Sequence, residues 1–441
     1  MNIRLRIIDF VGHTQIAKWY KFIKNSQYWS LQEIENYQNE KLRLLVDHAF
    51  TNVPYYQKLF HSLGLHPSEI RSKVDLKKLP VITRKVLQNN YEELIAVNHR
   101  EYKSQRRSTG GTTGEPVKYL SDLNSWSLHW AMKYHAWERS GYRIGDKVAL
   151  IGGASVIPQK ASLSRNVWNR INHLYPMPSS HMNDELLRSF ANTIKKEKIR
   201  CIRGYPSSIS VFSAFCMENG IKLSIDSVIT TAEVLRSEYK RTIMDAFNPV
   251  IIDSYGCADG GGNANTCEHD AGFHISHESA IWEVCDLNGN EVLKGSLGEV
   301  TLTSLTNYAM PLLRYQPGDV IENTFDEDMC RCGRYLFRIN GIVGKSTDIL
   351  KFHNGHSLGG PGFPQLFREF PLQQWQLVQN TMDSLDVNII PSELFTKDDE
   401  NRIKELMQYH CGEGVFIRVN KLEEILLPKS GKQRIIINRT I

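Results

Sequence analysis

Four hydroxyl side chains and three glycines fall within nine consecutive residues, Ser108-Thr109-Gly110-Gly111-Thr112-Thr113-Gly114-Glu115-Pro116. Glycine lets successive backbone N–H groups turn toward one anion, and the hydroxyls add donors for phosphate oxygens. Ser108, Thr109, Gly110, Gly111, Thr112, Thr113 and Gly114 therefore read as a polyphosphate cradle. The loop has no Gly-Lys-Ser/Thr ending, and Val117–Leu120 after it has a strand-like texture, so it is not a Walker loop. A Ser/Thr/Gly surface loop shares this composition. Lys103, Arg106 and Arg107 just before it would attract a triphosphate, or serve as an ordinary solvated basic face.

Sulfur supplies a second set. The eight cysteines stand at 201, 216, 257, 267, 285, 330, 332 and 411, none in the first 200 residues, which is not the distribution of a secreted disulfide framework. Cys330 and Cys332, with Cys267 and either His269 or His274 upstream, offer the three thiolates and one imidazole of a closed tetrahedral zinc site. Buried free cysteines are the other reading. Trp126, Trp130, Tyr134 and Trp137 recur at helical spacing, the pattern of a core face that can also wall a pocket. Lys432, in PKSGKQR near the carboxyl end, reads on composition as part of a solvated basic tail.

The elements that must hold these residues follow from the pattern of the chain. Residues 1–105 are polar and helical, with proline stops at Val53-Pro54 and Leu79-Pro80 and Thr83 placed to cap a helix. From 106 to 347 short apolar runs alternate with helical periodicity: Lys147–Gly152, a helix at Asp184–Lys196, then Ile199–Ile202, Ser227–Thr231 and Val250–Asp253. That alternation predicts a mostly parallel sheet covered on both faces. After Gly272 strands dominate, at Phe273–Ser276, Ala280–Asp286, Gly298–Ser304 and Leu336–Ile342, which predicts a β-rich subdomain. Residues 348–441 start afresh as a small α+β unit with a helix at Lys397–Tyr409. The fold class expected is α/β: a large amino-terminal domain with a helical lead-in, mostly parallel sheets with flanking helices and the β-rich subdomain, then a small α+β carboxy-terminal domain.

At 441 residues, 41% hydrophobic and 23% charged, the chain can bury real cores, so disorder is not its main state. Its 53 basic and 48 acidic side chains leave +5, too small an excess for nucleic acid as the main partner. No run approaches the roughly 18 apolar residues a membrane span needs. The amino terminus shows no export pattern, and the cytoplasm is the expected compartment.

Taken in order, the motifs resemble the adenylate-forming enzymes, specifically the phenylacetate–coenzyme A ligase family and its relatives found with capsular polysaccharide genes. VPYYQKLF and LPVITRKVL look like that family's amino-terminal signatures, and the Ser108–Pro116 segment like its phosphate loop. Gly204-Tyr205-Pro206-Ser207, Thr230-Thr231-Ala232-Glu233, Tyr255-Gly256-Cys257-Ala258-Asp259, the run from Met310 to Asp319, Cys330-Arg331-Cys332-Gly333 and Ser430-Gly431-Lys432 follow in the family's order. The likeness runs through nearly the whole chain.

The resemblance implies ATP and magnesium, with Asp319 accepting from two ribose hydroxyls, Tyr255 stacking on adenine beside Gly256, and Glu233 on the adenine side. Asp259 stands where the family usually has glutamate helping to hold magnesium; a shorter carboxylate can still reach the ion or a water on it. Lys345 stands where arginine is usual, keeping the charge without the planar fork, so a weaker ribose contact is expected. Lys432 becomes a catalytic cation reaching the α-phosphate and the substrate carboxylate. The family's cysteine-rich segments favour a structural zinc on Cys267, His274, Cys330 and Cys332, with His269 competing for the imidazole place. Cys257 is expected to pack beside Gly256.

The implied activity is conversion of a carboxylic acid into an acyl-adenylate with loss of pyrophosphate, Lys432 and Asp259 being the catalytic residues. Coenzyme A is the expected acceptor of the acyl group; an amine of a sugar or amino acid is the alternative. A non-catalytic, zinc-stabilised scaffold is a third. A hinge near Thr347–Asp348 would let the small domain rotate between steps. Oligomerisation is left open.

Overall fold

Caps and prolines open the helices of the first hundred residues. Ile3–Gly12 (α1) and Ile16–Ser26 (α2) precede Leu31–Asn52 (α3), where Ser30 and Glu33 form a reciprocal capping box. Pro54–Leu63 (α4) begins at its proline and ends at left-handed Gly64. The Thr83 hydroxyl accepts from Val86 N–H and opens Arg84–Asn89 (α5). The computed structural model describes residues 3–109, 117–153, 157, 169–179, 182–269, 272–286, 288–325, 328–345, 350–354, 356–358, 366–367, 369–425 and 435–440.

The lead-in is not purely helical. Ile82–Thr83 pairs in parallel with Tyr315–Gln316 and so joins a six-stranded sheet with Ala280–Cys285, Leu297–Ser304, Asp319–Glu322 and Ile342–Lys345. The central sheet has eight strands in the order Arg338–Ile339, Phe273–Ile275, Gly262–Asn265, Val250–Cys257, Ser227–Thr231, Cys201–Gly204, Val148–Gly152 and Leu174–Pro178. From Val250–Cys257 onward its strands run parallel, while the others are added antiparallel. The predicted β-rich subdomain is thus divided: Phe273–Ile275 and Arg338–Ile339 extend the central sheet, and Ala280–Cys285 and Leu297–Ser304 belong to the second.

Alternation along the parallel strands decides what covers each face. Ala149, Ile151, Ile202 and Val228 meet the helices Asp184–Glu197, Pro206–Glu218 and Ser237–Phe247 in one core. Val148, Cys201 and Ile229 meet α1, α2 and Leu123–Trp137 (α6) in another. A larger core joins α3 and α4 to the second sheet. At Gly204 a Cβ would stand 1.9 Å from Ile151 O, so only glycine fits where this strand gives way to its helix.

The carboxyl-terminal part has its own sheet, ordered Phe416–Lys421, Ser384–Pro391, Leu372–Thr381 and Ile436–Asn438. The helix Lys397–Cys411 covers it through Ile403 and Met407, in a core with Leu377 and Val387. Among the described residues no helix is long and apolar enough to cross a membrane.

Candidate functional site

Two carboxylates are fixed where the two large sheets touch. The turn after Val250–Cys257 carries Asp259-Gly260-Gly261-Gly262, and Leu302 Cδ1 lies 2.7 Å from where a Cβ on Gly260 or Gly262 would stand. Bare backbone is what lets this turn press against the second sheet. Asp259 is buried; its Oδ2 accepts from the Tyr315 hydroxyl at 2.7 Å and its Oδ1 from the Cys257 thiol at 3.1 Å. Asp319 opens a strand of the second sheet. Its Oδ2 accepts from the Tyr255 hydroxyl at 2.8 Å, and its Oδ1 lies 2.6 Å from Lys345 Nζ, directly across in antiparallel register. Lys345 also donates to Pro317 O at 3.3 Å. An ionised carboxylate offers about four lone-pair sites, so Asp319 keeps acceptor capacity for two ribose hydroxyls.

Electrostatics holds these groups in the states the geometry needs. Burial, followed by the charges of Asp319 and Asp259, raises the Tyr255 and Tyr315 hydroxyls far above their ordinary range, so both stay donors. Burial opposes the Lys345 charge, but the Asp319 pair and its neighbours outweigh it and the net shift is upward. The Cys257 thiol is pushed up by burial and then by Asp259, which makes it a packing residue and donor, not a nucleophile. Sequence reasoning missed Tyr315 and Cys257 as the donors that hold Asp259. The one local signal was that each lies inside a motif.

The glycine–hydroxyl segment is flanked by a hairpin, Gln105–Ser108 with Lys118–Ser121. Thr109 N–H donates to Val117 O at 2.9 Å and Val117 N–H to Thr109 Oγ1 at 3.1 Å, which closes its neck. Ser108 and Thr109 stand at this mouth; Gly110, Gly111, Thr112, Thr113, Gly114 and Lys432 lie outside the described residues. Burial and then the Asp259 charge raise the Tyr119 hydroxyl, which brings the hairpin within electrostatic reach of that carboxylate. Arg107 Cζ lies 3.3 Å from the Trp126 ring centroid, whereas Lys103 and Arg106 are exposed. Glu233 Oε2 accepts from the Ser207 hydroxyl at 2.6 Å and Ser207 N–H at 3.3 Å, so it ties the Gly204–Ser207 and Thr230–Glu233 motifs together at a helix start. Ala232 beside it has φ 70°, a left-handed conformation uncommon for a residue with a Cβ. The aromatic stripe is divided: Trp137 is core, Trp130 and Tyr134 are half-buried against it, and Trp126 stacks on His129 at 5.7 Å.

Cys267, His274, Cys330 and Cys332 come together, with their ligand atoms all within 4.8 Å of one another. Tetrahedral zinc with Zn–S of about 2.3 Å places neighbouring sulfurs roughly 3.8 Å apart. Cys267 Sγ and Cys330 Sγ are 3.9 Å apart, and Cys332 Sγ is 3.5 Å from His274 Nε2. The donor set fits the ion. Burial, then Arg139 and Arg334, hold His274 down to about 3, so it is the neutral imidazole that a metal requires. His269 is exposed and outside the group. Arg139 and Arg334 stand close enough to Cys332 to offset the net negative charge that three thiolates would leave around a divalent ion. Arg334 Nε donates to Gln27 Oε1 at 2.8 Å, anchoring the cluster to the end of α2.

A family model described as the CapK C-terminal domain matches residues 362–439. Phenylacetate-coenzyme A ligase of Aromatoleum evansii is 28% identical over 335 residues, covering 73% of this chain and 72% of that one. Protein CapK of Staphylococcus aureus is 22% identical over 438 residues, 97% of this chain and 94% of that one. The structure of 2-hydroxyisobutyryl-CoA ligase in the postadenylation state, in complex with R3-HIB-AMP, matches with a TM-score of 0.71 at 17% identity, over 94% of this chain and 92% of that one. The fold is that of the adenylate-forming ligases. Over most of its length the chain resembles the phenylacetate–coenzyme A ligases and protein CapK, and its carboxyl-terminal part matches the CapK C-terminal domain.

Proposed function

We propose that the chain uses ATP to convert a carboxylic acid into an acyl-adenylate, releasing pyrophosphate, and then passes the acyl group to coenzyme A. In the first step a carboxylate oxygen attacks the α-phosphorus, and the bond to the β-phosphate bridge breaks with its electron pair leaving on pyrophosphate. In the second a thiol sulfur attacks the acyl carbon, AMP leaves, and the thiol proton passes to solvent. The observation that carries this reading is the pair of fixed carboxylates, Asp319 held by Tyr255 and Lys345, and Asp259 held by Tyr315 within electrostatic reach of Tyr119 in the hairpin next to the glycine–hydroxyl segment.

In this reading Asp319 takes the ribose hydroxyls, Tyr255 and Gly256 flank the base with Glu233 on the same side, and Ser108–Gly114 donate to the phosphates. Asp259 would hold magnesium, which supplies neutralisation of phosphate charge when bound. Cys267, His274, Cys330 and Cys332 hold zinc as a structural clamp. Lys432 stabilises charge at the α-phosphate as the transition state forms, and rotation about 347–348 then withdraws it.

Acid-dependent exchange of labelled pyrophosphate into ATP, run with pools of carboxylic acids, tests the first step; loss of free thiol on adding coenzyme A tests the second. Lys432→Ala lowers exchange at least about a hundredfold while leaving nucleotide binding in place. Exchange at the parent rate contradicts the role. An amine acceptor is the second reading, supported by indoleacetate–lysine synthetase of Pseudomonas savastanoi, 29% identical over 136 residues, 30% of this chain. Turnover only with an added amine would select it, and silence with every acid would select a scaffold.

A further inference from the structure

We propose that Lys133 and Arg203 form the far wall of the acid pocket and bind a second anionic group, so that the acid activated here is a dicarboxylate or another acid with a distal anion. The inference rests on the acyl-adenylate reading and names its substrate class.

The fold brings these two cations together where α6 covers the parallel strands. Arg203 is the third residue of Cys201–Gly204, and its side chain points to the α6 face, as Cys201's does. Lys133 lies on α6, and its Cε is 3.8 Å from where a Cβ on Gly256 would stand, at the carboxyl end of Val250–Cys257. Between those strands runs Ser227–Thr231, which leads into the Glu233 loop. The two charges therefore flank the carboxyl edge of the parallel strands, where ligands of open α/β sheets sit. Three rings fix them. Trp130, Tyr134 and Trp137 are in successive contact at 5.9 and 5.4 Å, with Lys133 Nζ 5.3 Å from the Trp130 centroid and Arg203 Cζ 4.4 Å from that of Trp137.

Both cations are half-buried, and among the described residues neither has a carboxylate partner. The ionic groups acting on Lys133, His129 and Tyr134 are Lys133 itself, Arg203 and Arg107, all of one sign. Ring faces return much less than the hydration that two adjacent cations give up. Burial, then Arg203, pushes Lys133 down to about 8. A monocarboxylic acid would not relieve this, because adenylation consumes its only charge. A second carboxylate would.

Pyrophosphate exchange with succinate, glutarate and adipate against butyrate, valerate and hexanoate tests the proposal. One diacid exceeds its chain-length partner in kcat/KM by at least about tenfold, and Lys133→Met or Arg203→Met collapses that ratio while Lys133→Arg restores it. Equal turnover of each pair, or a ratio unmoved in both Met variants, overturns the proposal. Calorimetric titration of the same acids into the nucleotide-free protein decides it apart from catalysis. Tighter binding of a diacid, lost in the Met variants, supports the pocket even where exchange fails, which would count against the adenylation reading alone. Equal binding of each pair overturns the pocket even where exchange is robust.

Discussion

In the proposed site Asp319 would serve as an ion-pair partner and a ribose acceptor at once, and its geometry permits both because Lys345 and Tyr255 each use a single lone pair. Asp319→Asn keeps the shape and removes the charge, leaving Lys345 with no counter-ion at this position. The pair is largely buried, so the variant should lose roughly 3 kcal/mol of stability, the low end for breaking such a pair, and at least about tenfold in ATP affinity. Denaturant unfolding and calorimetry read the two losses; an unchanged Kd for ATP would remove Asp319 from the nucleotide site. Asp319, Tyr255 and Asp259 were legible in the sequence because each sits in a short motif whose neighbours constrain it. The Tyr315 hydroxyl on Asp259 was not, since the pairing spans 56 residues and depends on how two sheets meet. Lys133 and Arg203 were equally hidden, for a lone cation in an apolar stretch looks like a solvated one until the fold puts helix and strand together.

Among the elements, the sulfur cluster joins two segments distant in sequence through four ligand atoms within 4.8 Å of one another. Cys330–Gly333 is a tight turn, with Gly333 N–H donating to Cys330 O at 2.8 Å, and its other ligands come from the segment leading into and through Phe273–Ile275. Cys330→Ser, or removal of zinc by a chelator, should lower Tm by about 5 °C or more, and metal analysis of the parent should find about one zinc per chain. A parent chain free of zinc, with Tm indifferent to chelator, would return the four residues to a packing role. The parallel strands were readable as apolar runs between helices. Ile82–Thr83 and Tyr315–Gln316 were not, because two residues are too few to show a period; Ile82 N–H donates to Arg314 O at 2.9 Å beside the pair. That buried guanidinium donates to Leu79 O at 2.7 Å and pairs with Glu283 at 3.0 Å, holding the lead-in against the second sheet.

Across the whole molecule, buried imidazoles are among the groups that cost the fold stability in acid. His135 and His277 are held down to about 2 and about 3, first by burial and then by Arg139 and Lys73 respectively. His277 Nε2 accepts from Phe337 N–H at 3.1 Å, a bond only the neutral ring can make. Both folded values lie below the ordinary 6.5, so below that pH the unfolded chain binds protons that the folded chain refuses. Stability is fully present above pH 6.5 and falls toward pH 3, by about 1.4 kcal/mol per pH unit for each imidazole. Urea unfolding at pH 7.5 and 5 measures the slope, and His277→Gln should remove about one proton's share of it. A flat profile would mean these rings are solvated.

All of this depends on where the nucleotide sits, and a crystal structure of the chain with bound ATP answers that most directly. The ribose hydroxyls should lie on Asp319, with the base beside Tyr255 and Gly256 and the phosphates at the mouth formed by Ser108 and Thr109. Nucleotide density anywhere else, with Asp319 still holding only Lys345 and Tyr255, would contradict the account.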